Sequence, residues 1–292
     1  MSFVLNTKMN SFGQEFYPYE SIRALKFADK TKLTDRHTLI EHLATQLPQP
    51  SQHTRWRIAT KFAQRYLNGT RRNITPPPHC QPFVRLVARQ RHTPTQIELL
   101  YLRLSKVDSI VGALARDLFY PVCIAERPPE GFSSAEFAAR NGGQLFSTSP
   151  LLTHSFIFHY ARARWNFQDR ATIDRSLRVL QGAGLIARER MLDLRGHPTA
   201  FRLSQHNVSL TTFLYAFYEE FLPHARSGNL AVLQSVLPIT DFARTLLLTP
   251  SQVMEHCEAA RQHQLVAQQS DQLRLVFGNL DAVVDTLLTK AL

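Results

Sequence analysis

The chain has 292 residues, 44% of them apolar and 20% charged, which suffices for an ordinary buried core and excludes a disordered polymer. Its formal net charge of +11 points to polyanionic partners, DNA or RNA or an anionic membrane surface, and says nothing of fold. No apolar run approaches the length of a membrane span, the N-terminus lacks a basic start followed by an apolar stretch, and Cys80, Cys123 and Cys257 form neither a disulfide framework nor a metal knuckle. The expectation is a cytoplasmic protein without membrane contact.

Residues 1–20 carry no legible pattern. From about Ser21 the spacing becomes helical, with Leu33, Leu39, Ile40, Leu43 and Leu47 recurring near 3.6 residues until Pro48 stops the helix. After a turn at Pro48–Ser51, RWRIATKFAQRYLNG predicts a second helix, with Trp56, Ala59, Phe62, Ala63, Tyr66 and Leu67 on one face and Gly69 as its stop. Helix, short turn and helix make a helix-turn-helix. Arg55, Arg57, Lys61 and Arg65 fall off the apolar stripe, Arg71 and Arg72 extend the run, and no acidic residue stands between Glu41 and Glu98. Ordinary solvated faces mix both signs, so this surface is expected to meet a polyanion.

Pro76–Pro78 reads as a linker. Helices follow at Phe83–Arg91 and from Thr95 to Tyr120, the second ending before Pro121. Ser133 to Glu136 is a capping box opening a short helix that Asn141-Gly142-Gly143 ends. Pro150–Trp165 is an aromatic-rich helix. Asp169 then caps RATIDRSLRVLQ, and LIARERMLDL, a turn at Arg195–Pro198 and TAFRLS form a hairpin. That order is a winged helix-turn-helix, whose second helix lies in the DNA major groove. Ile173, Leu177 and Leu180 point inward. Arg170, Asp174, Arg175, Arg178 and Gln181 are left outward, the hairpin adds Arg188, Arg190 and Arg195, and the preceding helix adds Arg162 and Arg164. An arginine fork fits phosphate or the guanine edge.

The C-terminal part repeats the order: helices at Leu230–Leu237, Ile239–Leu248 and from Pro250 to about His263, a hairpin of LVAQQ and LRLVF, and a closing helix at Leu280–Leu288. From Asn207 onward five basic residues face eight acidic ones. Gln252, Glu255, His256 and Glu258 are expected to point outward from its third helix, and those acids would repel phosphate. This part is therefore assigned to protein docking, with other proteins or a second copy. The fold class expected is mostly α: a basic helix-turn-helix domain at 1–75, a helical connecting domain at 76–145, an Arg-rich winged-helix domain at 146–206 and an acidic winged-helix-like domain at 207–292.

No phosphate loop, dinucleotide fingerprint or nucleophile elbow is present, and no histidine pair has ligand spacing, so the reading is a non-enzyme without cofactor or metal. The carboxylates of the basic central region, Asp169, Asp174, Glu189 and Asp193, do not recommend a nuclease. Three stretches, SQHTRWRIATKFAQRYL, LLYLRLSKVDSIVGALARDLFYP and RATIDRSLRVLQGAGLI with its basic hairpin, resemble the BrxA family of BREX phage-defence systems over about residues 20–205. The resemblance implies a small, helical, winged-helix DNA-binding protein within a multi-gene antiviral system; the acidic part from Asn207 extends past the family's pattern. The function expected is non-catalytic binding of double-stranded DNA. The alternatives are a sequence-specific transcriptional regulator and a structural subunit of a larger nucleoprotein complex.

Overall fold

The computed structural model describes residues 16–143, 151–190, 199–204, 207–225 and 231–290. It is mostly helical with two small three-stranded sheets. The chain divides into two compact units, neither contiguous in sequence. The first joins Asp108–Asn207 with Val236–Met254; the second joins Tyr17–Val107, Val208–Ser235 and Glu255–Leu292. Set against the boundaries read from the sequence, Pro76–Pro78 falls inside the second unit, and the span 207–292 is shared between the two.

The second unit begins with α1 (Pro18–Ala28), α2 (Arg36–Thr45) and α3 (Gln52–Tyr66). The single helix expected up to Pro48 is thus two. The helix stops at Ala28, Leu33 lies in the connection, and Asp35 starts α2 by accepting from the Thr38 amide at 2.8 Å. The end of α3 differs as well. Leu67 is extended, and Gly69, at φ 139°, bridges Ile74 instead of capping the helix. Next come α4 (Pro82–Arg89) and α5 (Thr93–Val107). A helix that the sequence reading left unassigned, α11 (Leu210–Phe221), is buried almost all round. Rings of Phe62, Tyr66, Phe83 and Tyr215 follow one another at 5.4, 6.1 and 6.1 Å, threading α3, α4 and α11 into one core.

In the first unit, the long helix expected from Thr95 to Tyr120 breaks at Asp108, whose carboxylate accepts from the amides of Ile110 (3.2 Å) and Val111 (3.3 Å). The helix restarts as α6 (Ser109–Ala113), widens to a π-turn at Leu114–Phe119, and runs through Pro121 as α7 (Tyr120–Cys123). Pro121 has no N–H to give to the preceding turn, and side chains take carbonyls there instead: Tyr160 donates to that of Asp117 at 3.1 Å and Arg244 to that of Arg116 at 2.8 Å. Ser133 and Glu136 make the expected capping box of α8 (Ser134–Arg140). A short strand, β1 (Leu152–Thr153), precedes α9 (His154–Trp165) and α10 (Arg170–Gly182), after which β2 (Ile186–Arg190) and β3 (Thr199–Leu203) pair antiparallel. β1 adds to the far edge of β3 through Leu152↔Phe201, so the sheet order is β1-β3-β2.

The helix expected at Leu230–Leu237 is instead strand β4 (Ala231–Leu233) leading into a 3-10 turn at Gln234–Ile239. Val232, Leu233, Val236 and Leu237 suit an extended edge as well as a helix, and Pro238 forbids a longer helix. α12 (Asp241–Thr245) is shorter than read; α13 (Pro250–Gln262), β5 (Val266–Gln269), β6 (Gln272–Leu275) and α14 (Leu280–Lys290) fall where expected. β4 pairs with β6, giving the order β4-β6-β5. Both sheets therefore follow one plan, a short strand, two helices and a hairpin whose second strand takes the centre.

Candidate nucleic-acid interface

Local sequence fixes α9 and α10 firmly. Thr153 caps α9 by accepting from the Phe156 amide (3.2 Å), and Asn166 ends it in the left-handed region at φ 51°, which asparagine tolerates. Three residues later Asp169 accepts from the Ala171 amide at 3.0 Å and from the Thr172 hydroxyl; these bonds, that of Thr172 foremost, hold its carboxyl below the usual range. Ile173, Leu177 and Leu180 are buried as expected, joined by Thr172, Ser176 and Val179. What α10 turns away from the core is correspondingly narrow.

On that side a cleft of about 420 Å³ opens between α10, the start of α9 and the hairpin. Arg170, Arg178 and Arg188 line it together with His154, Asp174, Leu177, Gln181, Thr199 and Phe201. Each arginine spends one donor internally: Arg170 Nη2 on His154 Nδ1 (3.1 Å), Arg178 Nε on the Asp174 carbonyl (3.4 Å), Arg188 Nη2 on Thr199 Oγ1 (3.0 Å). A guanidinium has five N–H donors, so this anchors each side chain without exhausting it. Because arginine only donates, His154 Nδ1 must accept, and its Nε2–H points to the carboxylate of Asp174. One negative charge thus stands within a cleft lined by three positive ones. His154 was not among the expected site residues; its place at the first position of α9, opposite the first turn of α10, is a tertiary fact that no spacing reveals.

The remaining candidates of this unit separate. Arg175 is half-buried and Arg162 exposed. Burial first, then Arg140 and Arg162, pulls the imidazole of His159 below its ordinary range, and Arg140 of α8 approaches His159 Nδ1 at 3.4 Å. Arg164 forms an ion pair with Glu130, so it is already neutralised. The backbone of Arg190 belongs to β2, while its side chain, Arg195 and the turn at 195–198 lie outside the described residues, as does Asp193. Glu189 pairs with Arg202 across the hairpin.

In the second unit Arg57 is exposed and Lys61 half-buried, while Arg55 donates to the Gln49 carbonyl at 3.0 Å. Arg71 and Arg72 are exposed on a tight loop closed by the Thr70 amide on the Asn73 carbonyl (2.7 Å). Two expectations fail. Arg65 is only 5% exposed, and Trp56, read as core, is 43% exposed. At 100° per residue Trp56 sits at the edge of the buried face formed by Ile58, Ala59, Phe62, Ala63 and Tyr66. Further cations of the acid-free span are held by acids: Arg85 by Asp281 (2.9 Å) and Asp285 (3.2 Å), and Arg89 by Asp29 (2.9 Å).

The outward residues expected on α13 also turn out otherwise in part. Gln252 accepts from the Thr249 amide at 2.9 Å, and His256 stacks on Phe213 at 4.8 Å, with burial lowering its pKa. Glu258 is exposed, and its hydrogen bond with Arg261 pulls its carboxyl down to about 2.

Among the described residues no three His, Cys, Asp or Glu side chains gather as a metal site, and no helix is long and apolar enough to cross a membrane. No protein family, no curated protein and no solved structure matches the chain.

Proposed function

We propose that the chain binds double-stranded DNA without chemistry, using α10 and the β2–β3 hairpin as a winged helix-turn-helix. The observation that carries this reading is the convergence of Arg170, Arg178 and Arg188, from a helix and the hairpin strand that follows it, on one cleft. A helix with two arginines about two turns apart that line one cleft, flanked by a basic hairpin, matches the requirements of groove entry with phosphate contacts on either side. The 13-residue α10 is about 20 Å long, enough to present its first turns to base edges while Arg188 reaches the backbone. The resemblance to the BrxA family belongs to the same proposal: it sets this DNA binding within a phage-defence assembly, with the acidic C-terminal region meeting a protein partner or a second copy.

The test is binding of a labelled 20-base-pair duplex, followed by fluorescence anisotropy at low salt. Wild type should bind, and the Arg170→Ala/Arg178→Ala/Arg188→Ala variant should lose roughly 100-fold or more, since hydrogen bonds to charged groups contribute about 1.5–3 kcal/mol each. Absent binding by wild type, or equal affinity of a variant that melts normally, rejects the proposal.

A further inference from the structure

We infer that the outward face of α3 is a stacking site for an unpaired nucleobase, with Trp56 as its platform. The inference rests on the reading of this chain as a nucleic-acid-binding protein and adds a second class of ligand, single-stranded DNA, at a place separate in sequence from the arginine cleft.

Trp56 is the largest exposed side chain of α3, and its helix already has a full buried stripe in Ile58, Ala59, Phe62, Ala63 and Tyr66. Leaving an indole in water forfeits burial that an edge position could have avoided with a polar residue. Its surroundings select the ligand. Arg57 stands about 100° round the helix from it on the exposed side, with His53, Thr60 and Gln64 in the sector between them and the half-buried Lys61 beyond. α3 contains no carboxylate, and none occurs anywhere from 42 to 97. Glu20 comes toward the start of the helix, where it accepts from Gln49 Nε2 at 3.4 Å on the side where Arg55 is tied down.

Exposed aromatics set among cations are the pattern by which proteins hold single strands, the cations following the backbone and the ring taking a base. A paired duplex hides its base faces in the stack, so an indole face on a helix surface is reachable only by an unpaired base. A membrane surface fits less well. Interfacial helices bury a continuous apolar face in the lipid, whereas Trp56 is the one large exposed apolar side chain on α3.

The chain carries its own reporter. Of its two tryptophans, Trp165 is 6% exposed, so quenching by a bound base reads Trp56. The full chain is titrated with a 15-residue oligothymidylate and, separately, with a blunt DNA hairpin. Oligothymidylate should quench the emission, Trp56→Ala should weaken its binding roughly 5- to 100-fold, and Trp56→Phe should keep most of the affinity. Duplex affinity of Trp56→Ala should stay within about twofold, as stacking on an unpaired base has no part in it. The triple arginine variant of the cleft should lose the duplex and keep the quench. If oligothymidylate binds the alanine variant as tightly as wild type, or produces no quench while duplex binding is intact, the stacking site is refuted alone. A quench without any duplex binding refutes the duplex proposal and leaves the stacking site standing. A blue shift with phosphatidylglycerol vesicles and no response to oligothymidylate overturns the inference in favour of a lipid surface.

Discussion

If the cleft arginines neutralise phosphates, their contribution is legible as a salt dependence rather than as an affinity alone. Each phosphate neutralised on duplex DNA contributes about −0.9 to the slope of log affinity against log salt. Arg170, Arg178 and Arg188 together then account for a slope of about −2.7, a fall of roughly 40-fold between 50 and 200 mM salt. Arg178→Ala should make the slope shallower by about 0.9 as well as weaken binding. Arg164 supplies the control, because it stands in the same unit and has the same formal charge but is already paired with Glu130. Arg164→Ala should leave the slope within about 0.3 of wild type, as an internally neutralised guanidinium displaces few counterions. Asp174→Asn removes the carboxylate from the cleft and should tighten binding a few-fold at low salt. The assay is anisotropy of one labelled duplex at four or five salt concentrations. A slope unchanged by Arg178→Ala but reduced by Arg164→Ala would show that the phosphates lie elsewhere on the unit, and the cleft would lose its assignment.

Four further outcomes follow from packing and ionisation. Gly69→Ala should destabilise the second unit by roughly 2–3 kcal/mol in urea unfolding, because a Cβ there meets the Asn73 carbonyl and the Ile74 Cα at a φ of 139°. Glu98 is buried and accepts from both the amide (3.0 Å) and the hydroxyl (2.6 Å) of Ser209, the cap of α11. Glu98→Ala should therefore cost about 2–3 kcal/mol, and Glu98→Gln less, by the same unfolding measurement. His256 has its pKa lowered mainly by burial, against the opposing pull of Glu255 and Glu98, so the unfolded chain binds its proton more readily. Its contribution is present above the ordinary histidine value and lost as pH falls through it; the melting temperature should drop between pH 7.5 and 5, and less so in His256→Phe. Burial pushes the thiols of Cys123 and Cys257 up to about 12, whereas Cys80 is exposed. At pH 8 a disulfide reagent should titrate one thiol quickly in the native chain and three after denaturation.

Local chemistry was readable wherever a short side chain met its own backbone. Ser133 with Glu136, and Asp169 before α10, are contacts across two or three residues, and both stand as the sequence implied. Tertiary overrides account for the misses. Leu210–Phe221 has a nearly continuous apolar run without periodic polar positions, because α11 is covered on almost every side, so amphipathic periodicity had nothing to detect. Residues 231–237 carry an apolar pattern that suits helix and strand alike, and the pairing of Ala231 with Arg274 and Val232 with Leu273 decided between them from forty residues away. Trp56 and Arg65 exchanged their expected places for a similar reason. Both stand at the margins of the stripe on α3, and which margin is covered depends on the neighbouring helices.

Charge misled more systematically than hydrophobicity. By sequence, the acid-free span between Glu41 and Glu98 stands against an acidic excess after Asn207, and the two carry opposite expected tasks. In the folded second unit the two are in part each other's counter-ions, since Asp281 and Asp285 on α14 hold Arg85; beyond that span, Glu219 on α11 holds Arg103 (3.4 Å) and Lys106 (2.7 Å). Pairs of this kind remove those cations from any surface offered to a polyanion. The same subtraction raises the standing of the cations it leaves. On α10 and the hairpin the internal bonds of Arg170, Arg178 and Arg188 run to neutral groups, an imidazole, a carbonyl and a hydroxyl, with Asp174 as the cleft's one carboxylate. What marks that cleft is therefore excess charge after pairing, a quantity that exists only once the chain has folded, and it is the reason the site is sought there rather than along the longer acid-free stretch of the sequence.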